Sequence, residues 1–160
     1  MKSNTKLGFA LIFLGLIIIT GCASQKTDSA SSDNEVSGKV TATIFKSSGC
    51  GCCSIYSQYM GKKGFDVKVV DTDDLSSIIN KYKIPASMQS CHTTVIGDYF
   101  VEGHVPAEAI QKMMTEKPDI AGIAMPGMPS GSPGMPGAKQ GPFIVYAVHK
   151  DGSTTEFMRI

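Results

Sequence analysis

Tryptophan is absent from this 160-residue chain, and aromatic residues together make up only 8% of it. Charge is scarce as well: 18% of the residues are charged, below the roughly 25% of an average soluble domain. Neither sign dominates, since 15 basic residues face 14 acidic ones for a net charge of +1. That balance argues against a strongly electrostatic nucleic-acid binder, which needs a basic excess or patch. It also argues against a disordered polyelectrolyte. No Gly-rich phosphate loop, serine-triad signature or paired-carboxylate motif stands out. An apolar content of 42% supports a globular core, and the length bounds the chain to one domain with an appendage. Two residue types are plentiful instead. There are nine methionines and five cysteines, and five cysteines cannot all pair within one chain.

One cysteine belongs to the N-terminal segment. Lys2 and Lys6 precede a continuous stretch of apolar residues and glycine from Leu7 to Ile19. A charged start followed by a short apolar run predicts an export signal. The run is short for a membrane-spanning helix, which needs about 20 residues. It ends in Ile19-Thr20-Gly21-Cys22, which resembles the lipobox of bacterial lipoproteins. That resemblance implies cleavage before Cys22, a diacylglycerol on its sulfur, and a mature protein held outside the cytoplasm on a membrane anchor. A plain transmembrane anchor or an ordinary cleaved signal is the alternative. Loss of residues 1–21 would leave 13 basic and 14 acidic residues, a net charge of −1. Residues 23–38 are rich in serine and polar residues and read as a flexible linker, spanning roughly 20–24 Å.

From residue 39 to 160 the pattern alternates strand and helix. Lys39 to Phe45 is β-branched and predicts a strand. Cys52 to Lys63 places Ile55, Tyr56, Tyr59 and Met60 at helical spacing, with Gly64 ending the helix. Phe65 to Val70 alternates as a second strand, and Asp71 to Asp74 can cap a helix over Leu75 to Tyr82. Thr93 to Ile96 and Tyr99 to Val101 flank Gly97-Asp98, a hairpin signal of the type I′ kind. Pro106 fits the first position of a helix running to Glu116. Phe143 to His149 and Thr154 to Met158 form a final hairpin. The order predicts an α/β, thioredoxin-like sheet with flanking helices, with an unrelated α+β sandwich as the alternative. Residues 118–142 stand apart, with six prolines, six glycines and Met125, Met128 and Met135. They predict a long loop with neither helix nor central strand. It is either an insertion whose methionines cap the core or a lid offering thioether sulfur to a soft metal.

The chemistry gathers at Cys50-Gly51-Cys52-Cys53, after the first strand and at a helix start. Free N–H groups and the positive dipole end favour thiolate there. Cys50 and Cys53 make a C-x-x-C redox pair, while Cys50 and Cys52 make a C-x-C clamp for a soft ion. The alternative is a stabilising disulfide with a spare thiol. Cys91 precedes the third strand, and in a thioredoxin-like fold that loop faces the first helix. Four sulfurs would suit Cu(I), although zinc also accepts four cysteines. His92 and His104 lie in loops of the same region and can add nitrogen ligands. His149, near the terminal hairpin turn, reads as structural.

These motifs together resemble the CopG-type copper-resistance proteins, exported thioredoxin-like domains long catalogued as a domain of unknown function. The carrying segments are Ser48 to Cys53, Gln89 to Thr93, Glu102 to Ala107, Met125 to Pro129, Gly131 to Met135 and Asp151 to Ser153. The resemblance implies copper held by Cys50, Cys52, Cys53 and Cys91, including as a multinuclear cluster. His92, His104, Met125, Met128 and Met135 are accessory candidates. It also implies extracytoplasmic copper handling, interconversion of Cu(I) and Cu(II), and transfer to a partner protein. One departure is Tyr56, which stands where the family pattern carries tryptophan. Two other readings stay open: a thiol–disulfide oxidoreductase using Cys50 and Cys53, and a structural lipoprotein with a disulfide or zinc.

Overall fold

Alternating burial along Thr41–Lys46 shows why these six residues pair as strand β1: Ala42, Ile44 and Lys46 point inward. The computed structural model of the protein describes residues 38–160. The expected signal segment 1–21, the expected lipidation site Cys22 and the expected linker up to residue 37 lie outside the described residues. After β1 come α1 (Gly51–Lys62), β2 (Asp66–Asp71), α2 (Leu75–Lys81), a 3₁₀ turn (Ala86–Met88), β3 (His92–Ile96) and β4 (Tyr99–Glu102). Then follow α3 (Ala107–Glu116), β5 (Gly122–Ala124), β6 (Ile144–Val148) and β7 (Thr154–Arg159).

The strands form one mixed seven-stranded sheet in the order β2-β1-β3-β4-β5-β6-β7. β2 runs parallel to β1, and β5 parallel to β4; the remaining pairs are antiparallel. The fold is of the thioredoxin-like α/β class, as expected from the sequence. The main core joins α1 and α3 to one sheet face, through Tyr56, Met60, Ile110 and Met113 packed with Ile44, Val101 and Ile123. Neighbouring strand residues Phe100, Ala124 and Val148 turn to the other face, where Ile84, Met88 and the α2 residue Ile79 cover them. Each fully buried aliphatic side chain contributes about 1.5–3 kcal/mol. Asp74 caps α2, its carboxylate accepting from the Ser77 N–H at 3.1 Å. Gly64, at φ 97°, follows the α1 cap as predicted.

Three local expectations change. Residues 118–142 do contain a central strand: β5 lies between β4 and β6. Pro118 and Pro126 flank it rather than interrupt it. Gly122 belongs there because a Cβ would stand 2.3 Å from the Phe100 carbonyl oxygen. The β3–β4 hairpin has the predicted two-residue loop, with Ile96 opposite Tyr99. Only Gly97 takes a positive φ (56°), so the turn is not type I′. Pro106 is the residue capping α3 rather than its first helical residue, with an extended ψ of 142°.

Candidate metal centre

β1, β4 and β5 run in the same direction, and β3 runs opposite to them. The ends of β1, β4 and β5 and the start of β3 therefore meet at one end of the sheet. This places Lys46, His92, Glu102 and Met125 together at the rim from which α1 departs. Lys46 is 5% exposed; its ammonium pairs with Asp71 at 2.6 Å and donates to the Ser47 carbonyl at 3.3 Å. The same carbonyl accepts the Cys50 N–H at 3.1 Å. A buried cation thus helps hold the turn that delivers the cysteines.

Cys50 is the residue preceding α1, with extended backbone, and Cys52 and Cys53 lie in its first turn. Cys50 and Cys53 are joined by a disulfide, with Cα atoms 5.3 Å apart. Cys52 and Cys91 are free thiols, both half-buried. Cys50 Sγ and Cys52 Sγ are 3.5 Å apart, and Cys53 Sγ lies 3.7 Å from the Cys91 carbonyl oxygen. The Sγ atoms of Cys50, Cys52, Cys53 and Cys91 all lie within 4.8 Å of one another. A second set, Cys53, Cys91, His92 and His104, meets the same limit. The structure therefore brings the four cysteines and both histidines of the sequence reading together.

The histidines are fully buried and set edge to face, with ring centroids 4.8 Å apart. His104 Nδ1–H donates to the Pro133 carbonyl at 2.7 Å. That bond leaves Nε2 as the acceptor, 3.1 Å from the Cys91 thiol. His92 Nδ1 is 3.4 Å from the same sulfur, and its Nε2 is buried without a hydrogen-bond partner among the described residues. Burial, and secondarily His104, push His92 down to about 3. Burial also lowers His104, partly offset by its bond to Pro133. Both imidazoles are therefore neutral near pH 7, the form that ligates metal. Burial, then the neighbouring Cys52, push the Cys91 thiol up to about 11.

Tyr56 is fully buried and packs against both rings, at 4.5 Å from His92 and 5.5 Å from His104. Its hydroxyl donates to the Val105 carbonyl at 2.9 Å.

The methionine loop separates into different environments. Met125 is fully buried in the main core, Met128 is exposed at φ 44°, and Met135 is half-buried. Between Met128 and Met135 the chain presses on the centre. Gly134, at φ 85°, would place a Cβ 2.7 Å from the Cys52 carbonyl oxygen. Residues 133–134 thus form a strap across the start of α1, one carbonyl of which orients His104. His149 bonds Thr155 Oγ1 at 3.0 Å on the terminal hairpin, the structural role expected of it.

Glu102 is a residue that sequence reasoning gave no role. It is fully buried and accepts from the Ser90 N–H at 2.7 Å and the Thr93 hydroxyl at 2.6 Å. These donors flank Cys91 and His92 on either side. Burial pushes the carboxyl up to about 7, partly offset by these two hydrogen bonds. The signal for it was a carboxylate between Val101 and Gly103-His104, in a motif otherwise valued for its histidine.

Sulfur and neutral imidazole are donors for soft and borderline metal ions. The two neutral imidazoles and, once the Cys50–Cys53 bond is reduced, the four converging sulfurs fit such an ion.

Residues 88–135 match a family described as a protein of unknown function, DUF411. No curated protein matches the chain. Two solved structures do, "Copper resistance protein copG" in form 2 and form 1, each 36% identical. Form 2 superposes with a TM-score of 0.72, covering 77% of this chain and 99% of that one. Form 1 gives 0.71, with 77% and 98% covered. Identity at that level over nearly the whole relative places the chain in the family of the copper resistance protein CopG.

Proposed function

We propose that this protein binds copper in copper resistance, holding Cu(I) on Cys50, Cys52, Cys53 and Cys91 at the surface of a membrane outside the cytoplasm. The observation that carries the reading is the convergence of four sulfurs within 4.8 Å at a helix N-terminus. Thiolates select Cu(I) among common ions, and sulfur can bridge metals, so the set suits more than one copper. The name of the solved relatives supports the same metal. His92 and His104 add nitrogen donors that Cu(II) prefers, which supports interconversion of the two oxidation states and a copper-transfer partner at the rim. Met125, Met128 and Met135 complete the candidate set. Cys22 carries the lipid in this reading.

The chain's own residues prepare the site. Lys46 holds the Ser47–Cys50 turn. Glu102 fixes Ser90 and Thr93 around Cys91, and Pro133 sets the His104 tautomer. Metal binding must displace the Cys91 proton. Substituting Cys50, Cys52 and Cys53 by serine is expected to abolish tight Cu(I) binding by the reduced protein in competition with a chelator. Unchanged affinity would refute the reading. Substituting Cys22 by serine is expected to release the protein from the membrane fraction.

The Cys50–Cys53 disulfide favours a second reading, a thiol–disulfide oxidoreductase. It predicts turnover of a disulfide substrate without metal. Activity that needs copper, or none, would exclude it.

A further inference from the structure

The two donor sets overlap in Cys53 and Cys91, yet the disulfide withholds Cys53 from both. Beside that bond stands a third thiol. Cys52 Sγ is 3.5 Å from Cys50 Sγ, one of the two sulfurs already bonded. A thiolate attacks a disulfide sulfur directly, and the sulfur it displaces leaves as the new thiolate.

We propose that Cys52 is an internal nucleophile that moves the disulfide from Cys50–Cys53 to Cys50–Cys52, releasing Cys53 to complete a mixed sulfur–nitrogen metal site with Cys91, His92 and His104. The inference rests on the metal-binding reading above and adds a gate to it. In the step, the Cys50–Cys53 bond breaks and the Cys50–Cys52 bond forms. The electron pair of the broken bond leaves on Cys53 Sγ. Cys52 gives its proton to solvent, and Cys53 takes up a proton or the metal. The chain undergoes no net oxidation or reduction, so no outside reagent is needed.

The exchange needs one side-chain movement: with the Sγ atoms of Cys50, Cys52 and Cys53 all within 4.8 Å, Cys52 must swing into line behind the Cys50–Cys53 bond before it displaces Cys53. Cys50 and Cys52 are two residues apart, so their Cα atoms lie at most about 7 Å apart. The helical turn starting at Gly51 shortens this toward the distances a disulfide spans. Gly51 itself has nothing within 4 Å of a Cβ position, so the turn has room to adjust. The exchange also changes which thiol is offered. Cys52 is half-buried, whereas Cys53 is fully buried and faces the Cys91 carbonyl.

The released set has the Cys₂His₂ composition of a tetrahedral zinc-type site. Such a site holds its donors roughly 3.3–3.8 Å apart, given zinc bond lengths of about 2.0–2.3 Å. The donors here already lie within 4.8 Å of one another. His92, 1% exposed, turns Nδ1 to within 3.4 Å of the Cys91 sulfur. The ion class is a borderline divalent cation, distinct from the Cu(I) of the fully reduced centre.

Cobalt(II) is the probe, because two thiolates give it a sulfur charge-transfer band. The oxidised full chain carrying Cys22→Ser, with one disulfide, is titrated with cobalt, then its free thiols are alkylated and located by fragmentation. The expected tag is on Cys52 and Cys91 without metal; with cobalt bound, the expected disulfide is Cys50–Cys52, and Cys53 and Cys91 resist alkylation until acid denaturation releases the metal. Oxidised Cys52→Ser, whose disulfide cannot move, is expected to lose cobalt affinity at least 100-fold. The same variant after reduction is expected to regain cobalt binding through Cys53, Cys91, His92 and His104, which also shows that it folds. Retention of Cys50–Cys53 in the cobalt form, unchanged affinity of oxidised Cys52→Ser, or failure of reduced Cys52→Ser to bind would each overturn the proposal. Cu(I) affinity of the fully reduced parent reports separately on the underlying reading.

Discussion

Glu102 carries a buried carboxylate with no cationic partner among the described residues, and its two hydrogen-bond donors lie on either side of Cys91-His92. Removing the acceptor strands a backbone N–H and a hydroxyl in the interior. Glu102→Ala is therefore expected to cost about 2–3 kcal/mol, read as a lower urea midpoint. An unchanged midpoint would show that water satisfies both donors. Tyr56 is a gentler case. Tyr56→Phe keeps the ring against both histidines and loses only the bond to Val105. A loss of about 1–2 kcal/mol in the same assay is expected, with the fold retained. The four sulfurs and two imidazoles were legible as residues, because C-x-C-C, Cys-His and Gly-His fall at element boundaries. Glu102 was not, because burial of a glutamate depends on strands that meet only in three dimensions.

Among the elements, the strap at residues 133–134 does the most to shape the centre. Gly134 sits where any side chain meets the Cys52 carbonyl and where φ is positive. Gly134→Ala is expected to lift the strap and free His104 Nδ1 from Pro133. Loss of such an orienting partner lowers metal affinity about 10–100-fold, and the Cu(I) competition assay reads it; unaltered affinity would deny the strap its role. Strands and helices were legible from period-2 and 3.6-residue patterns, and the Asp74 cap from its position. β5 was not, because three apolar residues were averaged into a stretch dominated by proline and glycine. The Asp74 carboxyl is held below its ordinary 3.8 by the Ser76 hydroxyl and then the Ser77 N–H. A lowered folded pKa adds stability above the unfolded value, and that stability is lost as pH falls through the folded value. α2 buries no residue fully, so its amides are expected to show lower protection factors, relative to their intrinsic exchange rates, below that pH. An Asp74 titration midpoint at or above 3.8 by NMR would contradict the cap.

At the scale of the whole molecule, the direction of the strands decides where chemistry is possible. Three strand ends and one strand start bring side chains from residues 46, 50–53, 91–92, 102–104 and 133–134 to one rim. The family's order of motifs made that convergence legible before any distance was known. What the motifs did not convey was the disulfide, since C-x-x-C and C-x-C share Cys50 and the sequence weighs neither. The central claim is that the reduced rim is a copper–thiolate centre. Anaerobic Cu(I) titration of the fully reduced chain against a competing chelator, with bound copper and free thiols counted, tests it most directly. Tight binding of more than one copper per chain is expected, with the matching loss of reactive thiols at Cys50, Cys52, Cys53 and Cys91. No binding while those four thiols remain countable would contradict it.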